Sequence, residues 1–221
     1  MATTKKRRAP KQKRSTVTYE TILEAAMLVA NDLGHEGFNR FSTEKVAEKA
    51  GVSIGSLYQY FSDGKELLSE MLDRINKIDL ALVQQVFQGK PNGSLKSKLT
   101  QAMSALIEKR FIPRLGLYRF VILNRAEIAR PETNRPIQER IVQGLQDLLE
   151  QHPKDLHGHN SHHVAFIISR SFMNVMGSAI VLRPEYLKDK NFLELLNTWS
   201  ATIPSGGNMG SQNSKKRKNK K

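Results

Sequence analysis

Phe41–Phe61 reads FSTEKVAEKAGVSIGSLYQYF. Ser42 stands where a helix N-cap belongs, and Val46, Ala47 and Ala50 form the inward face of a short helix ending near Ala50. Gly51 follows at once, in the slot where a tight turn takes a left-handed backbone, and the apolar Val52 locks that turn to a core. Ser53 caps a second short helix, Ile54 to about Tyr60, whose Leu57 and Phe61 lie four apart and face inward. Two short helices separated by a three- or four-residue turn containing glycine make a helix-turn-helix.

Outward from this stretch the chain stays helical. Upstream, Ile22, Ala26, Val29 and Leu33 recur at helical spacing within about Thr18–Leu33, giving one helix with one buried stripe. Gly34 and Gly37 end it, and Phe38 and Phe41 serve as plugs between it and the next two helices. Downstream, Ser62 or Asp63 caps a longer helix carrying Leu67, Leu68, Met71, Leu72, Ile75 and Ile78. Further helices are expected over about 79–88, 95–110, 115–129, 135–151, 162–182 and 187–199, broken by Gly89–Gly93, Pro113, Pro131 with Pro136, the histidine-rich 152–163 and Pro184. No stretch alternates with period two, so the fold class is all-α. The segment 162–182 is apolar nearly all round, which suits either the core of one chain or a helix shared with a partner. Phe172, Met176, Ala179 and Ile180, with Leu195 and Trp199 on the last helix, are the candidate residues of a symmetric four-helix interface.

The charge is unevenly placed. The net +14 comes from seven cations in residues 1–14 (Lys5, Lys6, Arg7, Arg8, Lys11, Lys13, Arg14) and six in 215–221, with no acid in either, leaving 22 basic against 21 acidic side chains elsewhere. Neither tail has the apolar content to build a core, so attraction to a polyanion explains both better than folding does; solubility alone is the alternative for the C-terminal one. The expected organisation is a basic disordered arm (1–17), a helix-turn-helix domain (18–66), a larger helical domain (67–200) and a basic disordered tail (201–221). There is no cysteine, which removes disulfides and thiol chemistry and sits easily with a cytoplasmic protein. No run of about 18 apolar residues suggests a membrane span, and the basic start leads into no apolar signal core.

The stretch from Phe41 to Phe61, followed by Lys65-Glu66-Leu67-Leu68, resembles the TetR family of transcriptional regulators, and the helix Ile22–Leu33 is similar to that family's first helix. The resemblance covers about residues 18–72 and implies an N-terminal three-helix DNA-binding domain followed by a helical ligand-binding and dimerisation domain. It implies that Ile54, Gly55, Tyr58 and Gln59 face the bases, Gln59 with a fork suited to adenine and Ile54 suited to a thymine methyl. It implies that Ser42, Thr43, Ser56, Tyr60 and Lys65 face the phosphate backbone, with Tyr58 and Tyr60 as half-buried aromatics the alternative. The basic arm would follow the adjacent groove or phosphates. One departure stands out: Ser62, Asp63 and Gly64 put three residues between Phe61 and Lys65 where the family has two.

The rest of the chain is less explicit. Phe111, Leu115, Arg119, Phe120, Asn124, Phe172 and Asn174 are candidates for an effector pocket, with Arg125, Glu127 and Arg170 as further polar residues of that domain. His152, His157, His159, His162 and His163 could bind a metal, with His159 and His163 sharing a helical face if the helix begins early enough, but Pro153 and Gly158 favour a solvent-exposed loop, and no metal site is expected. No phosphate loop, nucleophile elbow or HExxH is present, so neither an enzyme nor a cofactor is expected. The function implied by the resemblance is that of a homodimeric repressor released from a palindromic double-stranded DNA operator by a small-molecule effector, with no membrane partner. A DNA-compacting protein working through its tails is the competing class.

Overall fold

A computed structural model describes residues 13–35, 40–88, 93–128 and 135–202. The expected arm residues Lys5, Lys6, Arg7, Arg8 and Lys11, the plug Phe38 and the tail from 203 lie outside these. Helix α1 spans Lys13–Leu33, so it starts five residues before Thr18 and takes Lys13 and Arg14 into its first turn. Its buried stripe is the expected one, Ile22, Ala26, Val29 and Leu33, with Leu23, Ala25 and Ala30 alongside.

Helices α2 (Thr43–Ala50) and α3 (Ile54–Tyr60) form the helix-turn-helix. The Ser42 hydroxyl accepts from the Lys45 N–H at 3.3 Å, and the Ser53 hydroxyl accepts from the Ser56 N–H at 3.1 Å. Between them Gly51 takes φ +67°, with its N–H on the Glu48 carbonyl and the Val52 N–H on the Ala47 carbonyl. That paired closure satisfies two orphan carbonyls and fixes the turn. Leu57 and Phe61 are fully buried, and Phe61 stacks on Tyr19 of α1 with centroids 5.3 Å apart.

Helix α4 runs unbroken from Gly64 to Gln88, where two segments are expected. Nothing in it breaks a helix: Leu68, Leu72, Ile75, Asp79 and Val83 keep one inward stripe straight through the expected break. Asp63 is its cap, the carboxylate accepting from the Lys65 and Glu66 N–H groups at 2.8 Å each, while Glu66 reaches back to the Ser62 N–H. The helix crosses the expected 66/67 domain boundary and so belongs to both halves.

Helix α5 (Leu95–Leu106) passes into a π-turn at Ile107–Phe111 and a 3-10 turn at Ile112–Arg114. Pro113 has no N–H to return to Lys109, and the helix widens one turn ahead of it. The expected 115–129 helix is divided at Asn124 into α6 (Leu115–Leu123) and α7 (Arg125–Ile128). Helices α8 (Arg135–Glu150), α9 (Ser161–Leu182) and α10 (Lys190–Thr202) complete an all-helical architecture among the described residues. A Cβ at Gly144 would stand 2.6 Å from the Phe87 ring, so the missing side chain sets how closely α8 approaches α4.

The two domains meet where α1 lies on α6. A Cβ at Gly116 would come 2.1 Å from the Asn31 carbonyl oxygen, so only glycine admits this contact. The Asn31 side chain locks it by accepting from the Leu117 N–H at 3.0 Å, and Phe41 packs on Phe120. Helix α9 corrects the expectation about membrane spans: its 22 residues are long and apolar enough to cross one, with a mean hydropathy of 1.6 over the best window. In this fold it packs between α6 and α8 and buries Val164, Ala165, Ile168, Phe172, Met176 and Ile180.

Candidate nucleic-acid interface and internal cavity

Two inward anchors orient α3. With Leu57 and Phe61 in the core, Ile54, Gly55, Tyr58 and Gln59 stand exposed together on the opposite face, Ile54 at 38 % and Tyr58 at 40 %. A Cβ at Gly55 would meet the Ser53 hydroxyl at 3.9 Å, an ordinary van der Waals contact. The Tyr58 hydroxyl lies 3.0 Å from that of Thr43. Thr43 is itself buried, which moves it from the expected phosphate contact to holding Tyr58 in place. Ser42 is half-buried at the start of α2, and Ser56 is half-buried with its hydroxyl 2.8 Å from that of Ser53. Tyr60 is also half-buried, its ring 6.4 Å from Tyr19. Lys65 is exposed at the start of α4, and Gly64 takes up the extra residue as the first residue of that helix, against Thr43.

The charge of the helix-turn-helix segment is balanced. Arg40, Lys45, Lys49 and Lys65 stand against Glu44, Glu48, Asp63 and Glu66 over residues 40–66. Lys49 lies 3.7 Å from Asp32.

The second domain holds a cavity of about 700 Å³, open to solvent on one side, between α4, α6, α8 and α9, with the π-turn at one wall. Phe111 and Asn174 of the seven candidate pocket residues line it, as do Arg125 and Arg170. Leu115, Arg119, Phe120, Asn124 and Phe172 do not. Phe120 and Phe172 are fully packed core, Leu115 leans on that core, the Asn124 amide donates to the Phe120 carbonyl, and Arg119 donates to the Val181 carbonyl.

Sequence reasoning missed the polar centre of this cavity. The buried carboxylate of Asp79 accepts from Arg110 Nε at 2.9 Å on one oxygen and from the Tyr118 hydroxyl at 2.5 Å on the other. Burial, and then the Asp79 charge, push the Tyr118 phenol up, so it stays protonated and donates. The guanidinium of Arg110 also lies over the Phe111 ring at 4.8 Å. An acid on the inward stripe of α4, between Ile75 and Val83, is the signal that was there to read.

Four of the six interface candidates need correction. Phe172, Met176, Ala179 and Ile180 are buried inside the chain's own core, at 5 % exposure or less, and offer nothing to a partner. Leu195 and Trp199 are exposed, at 68 % and 44 %, and with them Phe166, Ile167 and Leu182. Among the histidines, α9 begins at Ser161, so His159 precedes the helix and shares no helical face with His163. Among the described residues no three His, Asp or Glu side chains converge.

An exposed second helix of a helix-turn-helix, fixed to a helical domain with its own cavity, defines a two-domain helix-turn-helix protein. Residues 22–71 match the model described as bacterial regulatory proteins, tetR family, so this domain is similar to the N-terminal domain of that family. It is 37 % identical over 71 residues to the HTH-type transcriptional repressor DrrR1 of Streptomyces coeruleorubidus, a match that covers 32 % of this chain and 25 % of that relative. The fold is similar to that of a transcriptional regulator from Rhodococcus sp. Rha1, with TM-score 0.64 and 22 % identity over 86 % of this chain and 96 % of the other. It is also similar to the fatty acid degradation regulator FadR from Bacillus halodurans, with TM-score 0.63 and 14 % identity over 90 % of this chain and 99 % of the other.

Proposed function

We propose that this protein is a DNA-binding transcriptional regulator, a homodimeric repressor released from a palindromic operator by a small molecule held in the second domain. The observation that carries this reading is the exposed row Ile54, Gly55, Tyr58 and Gln59 on α3, held outward by buried Leu57 and Phe61. A rigid helix with one fork-bearing amide and one aliphatic tip suits the base edges of a major groove. One such helix spans too few base pairs for specificity, and the exposed apolar side chains of α9 and α10 supply a surface through which two copies pair. The dock at Gly116 and Asn31 connects α6, whose Tyr118 and Val121 line the cavity, to α1 of the DNA-binding domain. A ligand that moves α6 therefore moves α1.

Selection of duplexes from a random library by the purified full chain tests this. The expected result is a two-fold symmetric site whose half-sites lie about one helical turn apart, roughly 34–36 Å. A second reading is favoured by the charge of the tails, which hold thirteen of the fourteen net positive charges: a protein that compacts DNA without regard to sequence. Recovery of no preferred sequence would support that reading instead.

A further inference from the structure

The cavity's charges are unequally committed. Its one carboxylate, Asp79, is fully occupied by Arg110 and Tyr118. Two further guanidiniums border the same space without an acid. Arg170 donates to the neutral Gln138 amide oxygen at 2.7 Å and lies over the Phe166 ring, and Arg125, exposed beside Ile122, is within ion-pair distance of no carboxylate among the described residues. Between these groups the wall is apolar, built by Leu72, Ile75, Val121, Ile141 and Met173. The volume of about 700 Å³ lies within the roughly 300–1,000 Å³ of drug-sized ligand sites.

We infer that the cavity selects amphipathic organic anions: an apolar body against the aliphatic wall, with a carboxylate or comparable anionic head held by Arg125 and Arg170. The inference rests on the reading of this cavity as the effector site. Arginine matches a carboxylate with paired, charge-assisted donors. A cationic head meets two uncompensated positive charges. A neutral polar head leaves both guanidiniums with nothing gained.

The test compares ligands that differ in the head alone. Decanoate, decanol and decylammonium form one series, and 4-phenylbutyrate with 4-phenylbutanol a second, each titrated by calorimetry into the full chain. The expected result is that the carboxylate binds at least about tenfold more tightly than its alcohol in at least one series, as a charge-assisted hydrogen bond predicts. The Arg125→Gln/Arg170→Gln double variant loses that margin while keeping the alcohol's affinity, and Arg170→Lys keeps part of it. Arg125 is exposed, so Arg125→Gln alone supplies a variant whose folding is not at stake.

Equal binding of carboxylate and alcohol, tighter binding of decylammonium, no binding in either series, or a margin that survives the double variant overturns the inference. Operator affinity measured by fluorescence anisotropy in the same samples separates it from the function proposed above. Carboxylates bound through the arginines with operator affinity unchanged leave the ligand class standing and remove the effector role. Operator release by decanol and decanoate alike does the reverse.

Discussion

Under the proposed function, Gln59 and Lys65 divide the two tasks a DNA-binding surface performs. Gln59 sits in the middle of the exposed face of α3 and carries a donor and an acceptor on one planar group. Gln59→Ala is expected to relax base preference at one or two operator positions, with a loss of about 1–3 kcal/mol at those positions. Lys65→Ala is expected to weaken good and poor sites alike, since a phosphate contact carries no sequence information. Binding to a full single-substitution operator library distinguishes the two, and an unchanged base preference for Gln59→Ala removes the role given to it. In the cavity, Asp79→Asn leaves the buried Arg110 without its counter-ion. The expected cost is on the order of 3–5 kcal/mol, read as a lower urea midpoint at constant slope. At this scale legibility follows local rules. Gln59 is readable because helical spacing from Leu57 and Phe61 dictates which side it faces. Arg110 is not, because its direction depends on a π-turn that Pro113 provokes but does not specify.

The elements divide in the same way. Ser42, Gly51, Ser53 and the Asp63 cap are local signals, and each marks a real boundary of α2, α3 or α4. The second domain has weaker punctuation: α4 continues where a break is expected, and α6 stops at Asn124 where none is. Its interior arises from α4, α6, α8 and α9 meeting across the chain, which no single helix's periodicity encodes. That is why Phe120 and Phe172, apolar and well placed in sequence, prove to be core rather than cavity wall. Helix α9 makes the point for the dimer. It is apolar on two sides, and periodicity alone does not say which side faces its own bundle. The structure turns Phe172, Met176, Ala179 and Ile180 inward and leaves Ile167 and Leu182 out. Two substitutions separate the sides. Leu195→Ser with Trp199→Ser is expected to shift the protein towards monomer in light scattering while its helical circular dichroism and thermal midpoint for the monomer fold persist. Ala179→Arg is expected instead to unfold the domain, because it drives an unpaired charge into a packed core. A stable monomer from Ala179→Arg would overturn this assignment of faces.

Across the whole molecule, the segment 40–66 that holds the helix-turn-helix is electrically balanced and the excess charge of the sequence lies at the ends. The helix-turn-helix supplies four cations and four acids over residues 40–66, and the chain between the tails has 22 basic against 21 acidic groups. Under the proposed function, shape and base contacts are assigned to α3 and general attraction to phosphates to the tails. Deletion has to respect the helix: α1 begins at Lys13, so removing residues 1–12 spares its first turn, whereas removing 1–14 cuts into it. Deleting 1–12 with 212–221 takes away Lys5, Lys6, Arg7, Arg8 and Lys11 together with all six cations of the C-terminal cluster. Affinity for every duplex is expected to fall, and the dependence of log K on log salt to flatten by about 0.9 for each phosphate that is no longer neutralised. The ratio between a selected operator and its scrambled counterpart is expected to change less than either affinity, because the row from Ile54 to Gln59 remains. Titrations at four or more salt concentrations, with full-length and truncated protein side by side, measure all three quantities. If the truncated protein keeps its circular dichroism and its oligomeric state yet loses that ratio, sequence reading belongs to the tails. The nearly neutral helix-turn-helix would then serve to orient the protein on DNA rather than to read it.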